Sequence, residues 1–262
     1  MMMAETTAVS SPTRELPHRL VGAVFWRSLA LQASWNPQRM QNLGLLVCLL
    51  PWLRQQRLDI QEKRRFCRRH YEFFNTNPYL ANFILGGLMS LEEGTGPEGV
   101  VSERFLRTFK NTLAQSFAAL GDQFFWLGLQ PTLFLLTCFL GLLAGPWGVL
   151  GLVGTFAAGQ LILRRRALRV GYQQGLKIVD LLAHPAWHSG ICAVKATGMF
   201  LTGCLGGYYL ARFAAVEQAH DQIPGLVVAL LAGGLPLILR QRIPAEGIAL
   251  LTLPLALALA YL

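Results

Sequence analysis

The sequence carries little charge: Asp, Glu, Lys and Arg make up 14% of its 262 residues, where a soluble globular chain has about 25%. The deficit is uneven. Residues 1–130 hold 14 of the 23 Lys and Arg and 10 of the 14 Asp and Glu, so the remainder is nearly charge-free between a few basic clusters. Paired cysteines are missing as well. Cys48, Cys67, Cys138, Cys192 and Cys204 show no Cys-x-x-Cys spacing, which argues against a zinc site or a disulfide framework and leaves thiols in apolar surroundings. There is no Gly-x-Ser-x-Gly elbow, no His-Glu-x-x-His pair and no phosphate-binding loop. No catalytic residue, metal ligand or cofactor is therefore expected. The five histidines are scattered. His70, within a basic helix, and His184 and His188, flanking Pro185, are expected at the surface rather than as phosphate carriers.

The start of the chain lacks the basic-then-apolar pattern of a cleavable signal peptide. Residues 1–18 are polar, contain Pro12 and Pro17, and are expected to form a disordered tail. The formal charge of +9 does not point to nucleic acid, because no binding module accompanies it and the cations lie beside apolar runs. Such cations usually mark the cytoplasmic side of a membrane.

What is present is apolar, helical and interrupted. From Arg19 to Trp35, Val21, Phe25 and Leu29 recur every four residues while Arg27 and Gln32 fall elsewhere, which predicts an amphipathic helix. The runs Leu43–Leu53 and Tyr79–Leu91 are too short to cross about 30 Å of hydrocarbon, so they are expected to be interfacial, re-entrant or packed inside protein. Between them, Asp59 and Glu62 form a capping-box signature at the start of a helix bearing Lys63, Arg64, Arg65, Arg68 and Arg69. That helix has either a solvated face or an attraction for anionic headgroups or an acidic partner. Gly94–Gly99 reads as a turn, and Phe105, Phe109, Leu113 and Phe117 then repeat at four-residue intervals as a packing stripe.

Residues 132–163 contain no charge at all, but Gly145-Pro146-Trp147-Gly148 interrupts them, which predicts a hairpin of two helices. Ile191–Ala211, Ile223–Leu239 and Gly247–Leu262 are each close to spanning length, with Lys195 able to snorkel to the interface. The segments 164–190 and 240–246 carry net charges of +4 and +1, and 212–222 carries −1. The positive-inside rule then places the basic N-terminal half and segment 164–190 in the cytoplasm, with the C-terminus outside. The expected fold is an all-α membrane protein: a helical bundle with broken or re-entrant helices and an amphipathic N-terminal helical region. Its expected parts are residues 1–18 (tail), 19–130 (basic amphipathic and short re-entrant helices) and 131–262 (transmembrane helices).

Polar residues gather where the short apolar segments break. Gln32, Trp35 and Asn36 form one cluster, Asn75, Thr76 and Asn77 a second, and Asp122 with Gln123 a third. Interrupted helices leave backbone groups that must be satisfied by protein or by a polar site, and in transporters such breaks often hold substrate. Amides offer both donors and acceptors to sugar hydroxyls, and an aromatic such as Trp35 can cover the apolar face of a sugar ring. The same residues could equally cap helices, with Trp35 at the interface; the residues alone leave both readings open.

In this order and setting the clusters resemble a known family, the IID subunit of the mannose, fructose and sorbose group of phosphotransferase-system sugar permeases. The matching pieces are Phe25-Trp26-Arg27-Ser28, Leu31-Gln32-Ala33-Ser34-Trp35-Asn36, Arg39-Met40-Gln41-Asn42-Leu43-Gly44, His70 through Leu80, Gly121-Asp122-Gln123-Phe124-Phe125-Trp126 and Gly171-Tyr172-Gln173-Gln174-Gly175. The resemblance implies a subunit of the bacterial inner membrane that pairs with a IIC membrane subunit to form a hexose pathway, embedded in lipid. It also implies soluble IIA and IIB proteins that carry the phosphate, none of it on this chain. Under it, Gln32, Trp35, Asn36, Asn75, Thr76, Asn77 and Asp122 are the candidate sugar-binding residues. Two features depart from the family pattern. Asn77 stands where His is usual, and Gln115 through Leu120 lacks the usual Gly and Pro. A regulatory or scaffold protein of the same fold, without transport, is the alternative reading.

Overall fold

The computed structural model describes residues 15–94 and 101–216, with side chains to Gly207. Most of the expected tail, the part of the Gly94–Gly99 turn beyond Gly94, and the runs Ile223–Leu239 and Gly247–Leu262 lie outside the described residues. The described residues are helical, with isolated bridges in place of any strand. The helices are α1 (His18–Ser28), α2 (Asn42–Gln55), α3 (Ile60–His70), α4 (Ala81–Glu92), α5 (Glu103–Gly121), a π-helical segment (Asp122–Leu129), α6 (Gln130–Gln174), α7 (Ile178–Leu182) and α8 (Ala186–Val216). They form two compact units, one made of the chain to Leu127 with Leu150–Ile191, the other of Gly128–Val149 with the chain from Cys192 onward.

In the first unit α1 buries Leu20, Val21, Val24, Phe25 and Ser28, one stripe of a 3.6-residue repeat. The expected helix to Trp35 is shorter: it stops at Ser28, and Leu29 lies exposed. Helix α2 reaches the turn after α1 closely because residue 44 is Gly, since a Cβ there would collide with the Leu31 carbonyl. It packs inside protein through Leu45, Cys48, Leu49, Trp52 and Leu53. Burial pushes the Cys48 thiol up to about 12, against the opposing pull of Arg27, so it stays protonated and inert.

Helix α3 starts as its sequence predicts: Asp59 Oδ1 accepts from Glu62 N–H at 2.7 Å, and Glu62 Oε2 accepts from Asp59 N–H at 2.9 Å. Helix α4 is apolar on every side and buried on almost every side, as a helix at the centre of a bundle must be. It crosses the last turns of α6 backbone to backbone. A Cβ on Gly86 would strike the Leu168 carbonyl, and one on Gly171 would strike the Phe83 carbonyl. This crossing accounts for the glycine that opens the Gly171–Gly175 motif. Helix α5 packs on α4 through Leu106, Phe109, Leu113 and Phe117, and the rings of Phe83 and Phe117 stack at 5.5 Å and 3°. Phe105, first of the expected stripe, is exposed.

The uncharged run reverses at Gly145, whose φ of 61° and ψ of −154° few residues other than Gly adopt. Residues eight apart come together across the bend: a Cβ on Gly141 would lie 3.7 Å from Val149 Cγ2, and one on Gly148 3.2 Å from the Leu140 carbonyl. A sharp bend therefore interrupts the run at the place where the sequence predicts a turn. In the second unit Thr132 Oγ1 lies 2.9 Å from the Gly128 carbonyl and 3.1 Å from that of Val194, where α8 crosses. Stretches within Glu103–Leu182 and Ala186–Gly207 are long and apolar enough to cross a membrane. The basic segment from Arg164 is helical through Gln174, so Arg164, Arg165 and Arg166 extend α6 rather than follow it.

Candidate functional site

The loop after α1 and the loop after α3 are stitched together by amides. Asn36 and Met40 exchange backbone hydrogen bonds of 3.1 and 2.9 Å, and Arg39 N–H donates to Asn36 Oδ1 at 2.8 Å. Asn36 Nδ2 donates to Asn42 Oδ1 at 3.1 Å, and Asn42 Nδ2 donates to the Tyr71 carbonyl at 2.9 Å. Gln41 N–H donates to the Phe74 carbonyl at 2.8 Å. Gln41 and Thr76 then pair twice, Nε2 donating to the Thr76 carbonyl at 2.9 Å and Thr76 N–H donating to Oε1 at 3.2 Å. Arg39 adds a bond to the Tyr71 carbonyl at 3.2 Å while its guanidinium sits 5.2 Å from the Tyr71 ring centre. Met40, at φ 55°, occupies the left-handed region that disfavours a bulky side chain, a strain the surrounding bonds hold in place.

The second loop continues into the third cluster. Asn77 is buried; its Nδ2 donates to Asp122 Oδ1 at 3.0 Å and its Oδ1 accepts from Tyr79 N–H at 3.1 Å. Gly121 makes room for it, since a Cβ there would overlap Asn77 Cβ and Cγ. The Gly-Asp pair thus has two separate tasks, admitting the amide and accepting its hydrogen bond. Asp122 also opens the π-helical segment, a wider coil often found at functional sites. That segment turns Phe125 and Trp126 toward Tyr79, at ring separations of 4.6 and 5.7 Å.

Of the residues singled out from sequence, Asn77 and Asp122 are in direct contact, and Asn36 and Thr76 belong to the stitched loops. Gln32, Trp35 and Asn75 are exposed, and neither Gln32 nor Asn75 forms a side-chain hydrogen bond among the described residues. Gln41 and Asn42, which tie the loops together, were legible only as parts of the Arg39–Gly44 motif.

His70 and Arg69 contradict their expected surface positions. His70 is fully buried, and its Nε2–H donates to Glu92 Oε1 at 2.7 Å. Arg69 reaches Glu92 Oε2 at 2.7 Å and Glu103 Oε1 at 2.8 Å. Lys110 Nζ donates to the Arg69 carbonyl at 2.7 Å and pairs with Glu72 at 3.3 Å, and Glu72 also pairs with Arg107 at 3.2 Å. Burial lowers the His70 pKa and outweighs the pull of the Glu92 carboxylate, with the Lys110 and Arg69 charges adding to the lowering. Burial alone would push the Glu92 carboxyl up, but the hydrogen bonds from His70 and Arg69 and the Arg69 charge hold it below the usual carboxylate range. A neutral, sealed His70 has no free path to a phosphoryl donor. Among the described residues no group of three His, Cys, Asp or Glu could hold a metal ion.

Uncharged helices with open apolar surfaces, together with the amide pairing between the breaks at Asn77 and Asp122, define a helical membrane protein. The PTS system mannose/fructose/sorbose family IID component model matches residues 15–240, and the chain belongs to this family. It is 27% identical over 260 residues to the PTS system mannose-specific EIID component of Escherichia coli (strain K12), covering 92% of each chain. It is 29% identical over 175 residues to the PTS system sorbose-specific EIID component of Lacticaseibacillus casei, covering 66% of this chain and 62% of that one. A solved structure described only as a membrane protein aligns at a TM-score of 0.72 and 25% identity, over 94% of this chain and 97% of that one. A chain from the mannose transporter ManYZ in complex with microcin E492 aligns at a TM-score of 0.58 with the same identity and coverage.

Proposed function

We propose that this chain works as the IID half of a hexose pathway, paired with a IIC subunit in a bacterial inner membrane and supplied with phosphate by soluble IIA and IIB proteins. The observation that carries the reading is the Asn77–Asp122 pair seated against Gly121, because it joins two separate breaks of the chain into one polar site. The amides of Gln32, Asn36, Asn75 and Asn77, the Thr76 hydroxyl and the Asp122 carboxylate meet the sugar hydroxyls in this reading, and Trp35 covers the ring. The chain crosses the membrane several times, with residues 19–130 on the cytoplasmic side and the spanning helices beyond residue 131. The basic extension of α6 from Arg164 then lies at the cytoplasmic interface, in accord with the positive-inside rule.

The test is phosphoenolpyruvate-dependent uptake of labelled hexose by cells that lack their own permeases and express this chain with its IIC, IIA and IIB partners. Uptake that requires this chain is the expected result. Gln32→Ala and Asn75→Ala should each abolish it while leaving the complex assembled; unchanged uptake in both variants would remove these residues from the site.

A further inference from the structure

A cavity of about 270 Å³ opens between the start of α1 and the last turns of α6, lined by Glu15, Leu16, His18, Arg169 and Gln173. All five belong to the first unit. Leu16 is buried and Arg169 half-buried, while His18 and Gln173 are exposed. The Arg169 guanidinium lies 3.5 Å from His18 Nδ1 and has no other polar partner among the described residues. Glu15 lines the same cavity without forming an ion pair to it. A guanidinium has five N–H donors, and one long contact to an imidazole leaves most of them open.

Positive charge prevails around this cavity. Arg165 and Arg166 are exposed one turn before Arg169, and neither has a carboxylate partner among the described residues. Arg165, Arg169 and Gln173 stand four residues apart, on one face of α6. From the other side, Pro17 gives α1 no side-chain cap, so the first N–H groups of that helix add partial positive charge. The cavity also has a definite depth relative to the apolar surface. Leu161 and Ile162 are exposed at the end of the uncharged run. Arg169 follows Ile162 by seven residues, about 10 Å along a helix, and a helical side chain leans back toward the helix start. A headgroup layer is about 5–8 Å thick, so the guanidinium lies at its level when Leu161 and Ile162 lie in hydrocarbon.

We propose that this cavity holds the phosphodiester of an anionic membrane lipid, with Arg169 and Gln173 donating to the phosphate oxygens. The lining separates the possible sources of phosphate. A phosphate monoester carries about −1.5 to −2 charges at neutral pH, and free phosphate is similar, so the Glu15 carboxylate repels both more than a lipid diester of single charge. A headgroup that bears hydroxyls gives Glu15 a hydrogen bond to accept. Its acyl chains follow the exposed apolar surface that ends at Ile162. The inference rests on the placement of the basic end of α6 at the membrane interface given above.

Its test uses the full chain in neutral detergent, titrated with phosphatidylglycerol or phosphatidylcholine and read by native mass spectrometry. Tighter binding of phosphatidylglycerol is the expected result. Arg169→Gln removes a charge-assisted hydrogen bond and Gln173→Glu adds a repelling carboxylate, and each is expected to weaken that binding about tenfold. Arg68→Gln, which removes an exposed cation of α3, leaves it unchanged. Gln173 is exposed, so Gln173→Glu decides the matter if Arg169→Gln does not fold. Equal affinity for the two lipids, or equal losses in Arg68→Gln and Gln173→Glu, would show a general attraction of charge and overturn the proposal. Displacement of phosphatidylglycerol by an equimolar amount of inorganic phosphate overturns it too, and assigns the cavity to free phosphate. The measurement needs no sugar, so a chain that binds the lipid as predicted yet supports no hexose uptake overturns the functional reading and leaves this inference standing.

Discussion

Helix α4 and the uncharged run within α6 are both apolar, yet they solve the problem of their surfaces in opposite ways. In α4, Ile84, Leu85, Leu88 and Met89 are all fully covered by protein. In the uncharged run Leu143 and Trp147 are each 81% exposed, and on α8 Met199 and Phe200 are 75% and 69% exposed. Large apolar side chains left open over whole helices are not tolerated in water. The difference shows that apolar content alone does not say what covers a helix: length does. Twelve residues can only be wrapped by other helices, whereas a longer uncharged helix can take lipid as its solvent.

The sharpest way to break this contrast is through charge. Near one end of α4 the protein interior holds Glu92, and Arg69→Met would remove both hydrogen bonds that the Arg69 guanidinium gives this buried carboxylate. A loss of about 3–5 kcal/mol in unfolding free energy is expected, measured by denaturation in detergent; a loss below about 1 kcal/mol would mean that water reaches the cluster. Truncation tests the packing itself. Leu88→Ala should cost about 2–5 kcal/mol, while Leu143→Ala should stay within about 0.5 kcal/mol. Equal losses would place both residues in the same environment.

The smallest effect is in pH. The folded chain holds His70 neutral, so as pH falls through 6.5 the unfolded chain gains a proton that the folded one refuses, and stability declines by up to about 1.4 kcal/mol per pH unit. Glu92 acts in the same direction at lower pH: its stabilisation is present above its ordinary value of 4.5 and is lost as the carboxylate protonates. An unfolding midpoint that decreases on the acid side of pH 6.5 in the wild type, and less so in His70→Leu, is the expected result.

Features decided within a few residues are legible in the sequence. The Asp59–Glu62 cap, the Phe109–Leu113–Phe117 stripe and the reversal at Gly145 each depend on spacing or on one residue's backbone freedom, and each is present in the fold. The family motifs are legible as strings, but their reasons lie in contacts across the chain. Gly171 is needed because α4 passes at Phe83, and Gly121 because Asn77 fills the space where a Cβ would be. The burial of Arg69 and His70 is illegible in a run of cations, because their partner Glu92 follows more than twenty residues later.

Tryptophan quenching tests the division of solvents most directly. Trp147 is open and Trp52 is buried against Phe66, so variants that keep one tryptophan each can be placed in bilayers whose acyl chains carry bromine. Strong quenching of Trp147 with little change at Trp52 is the predicted result. Trp147 unquenched by the acyl chains yet open to a water-soluble quencher would contradict it.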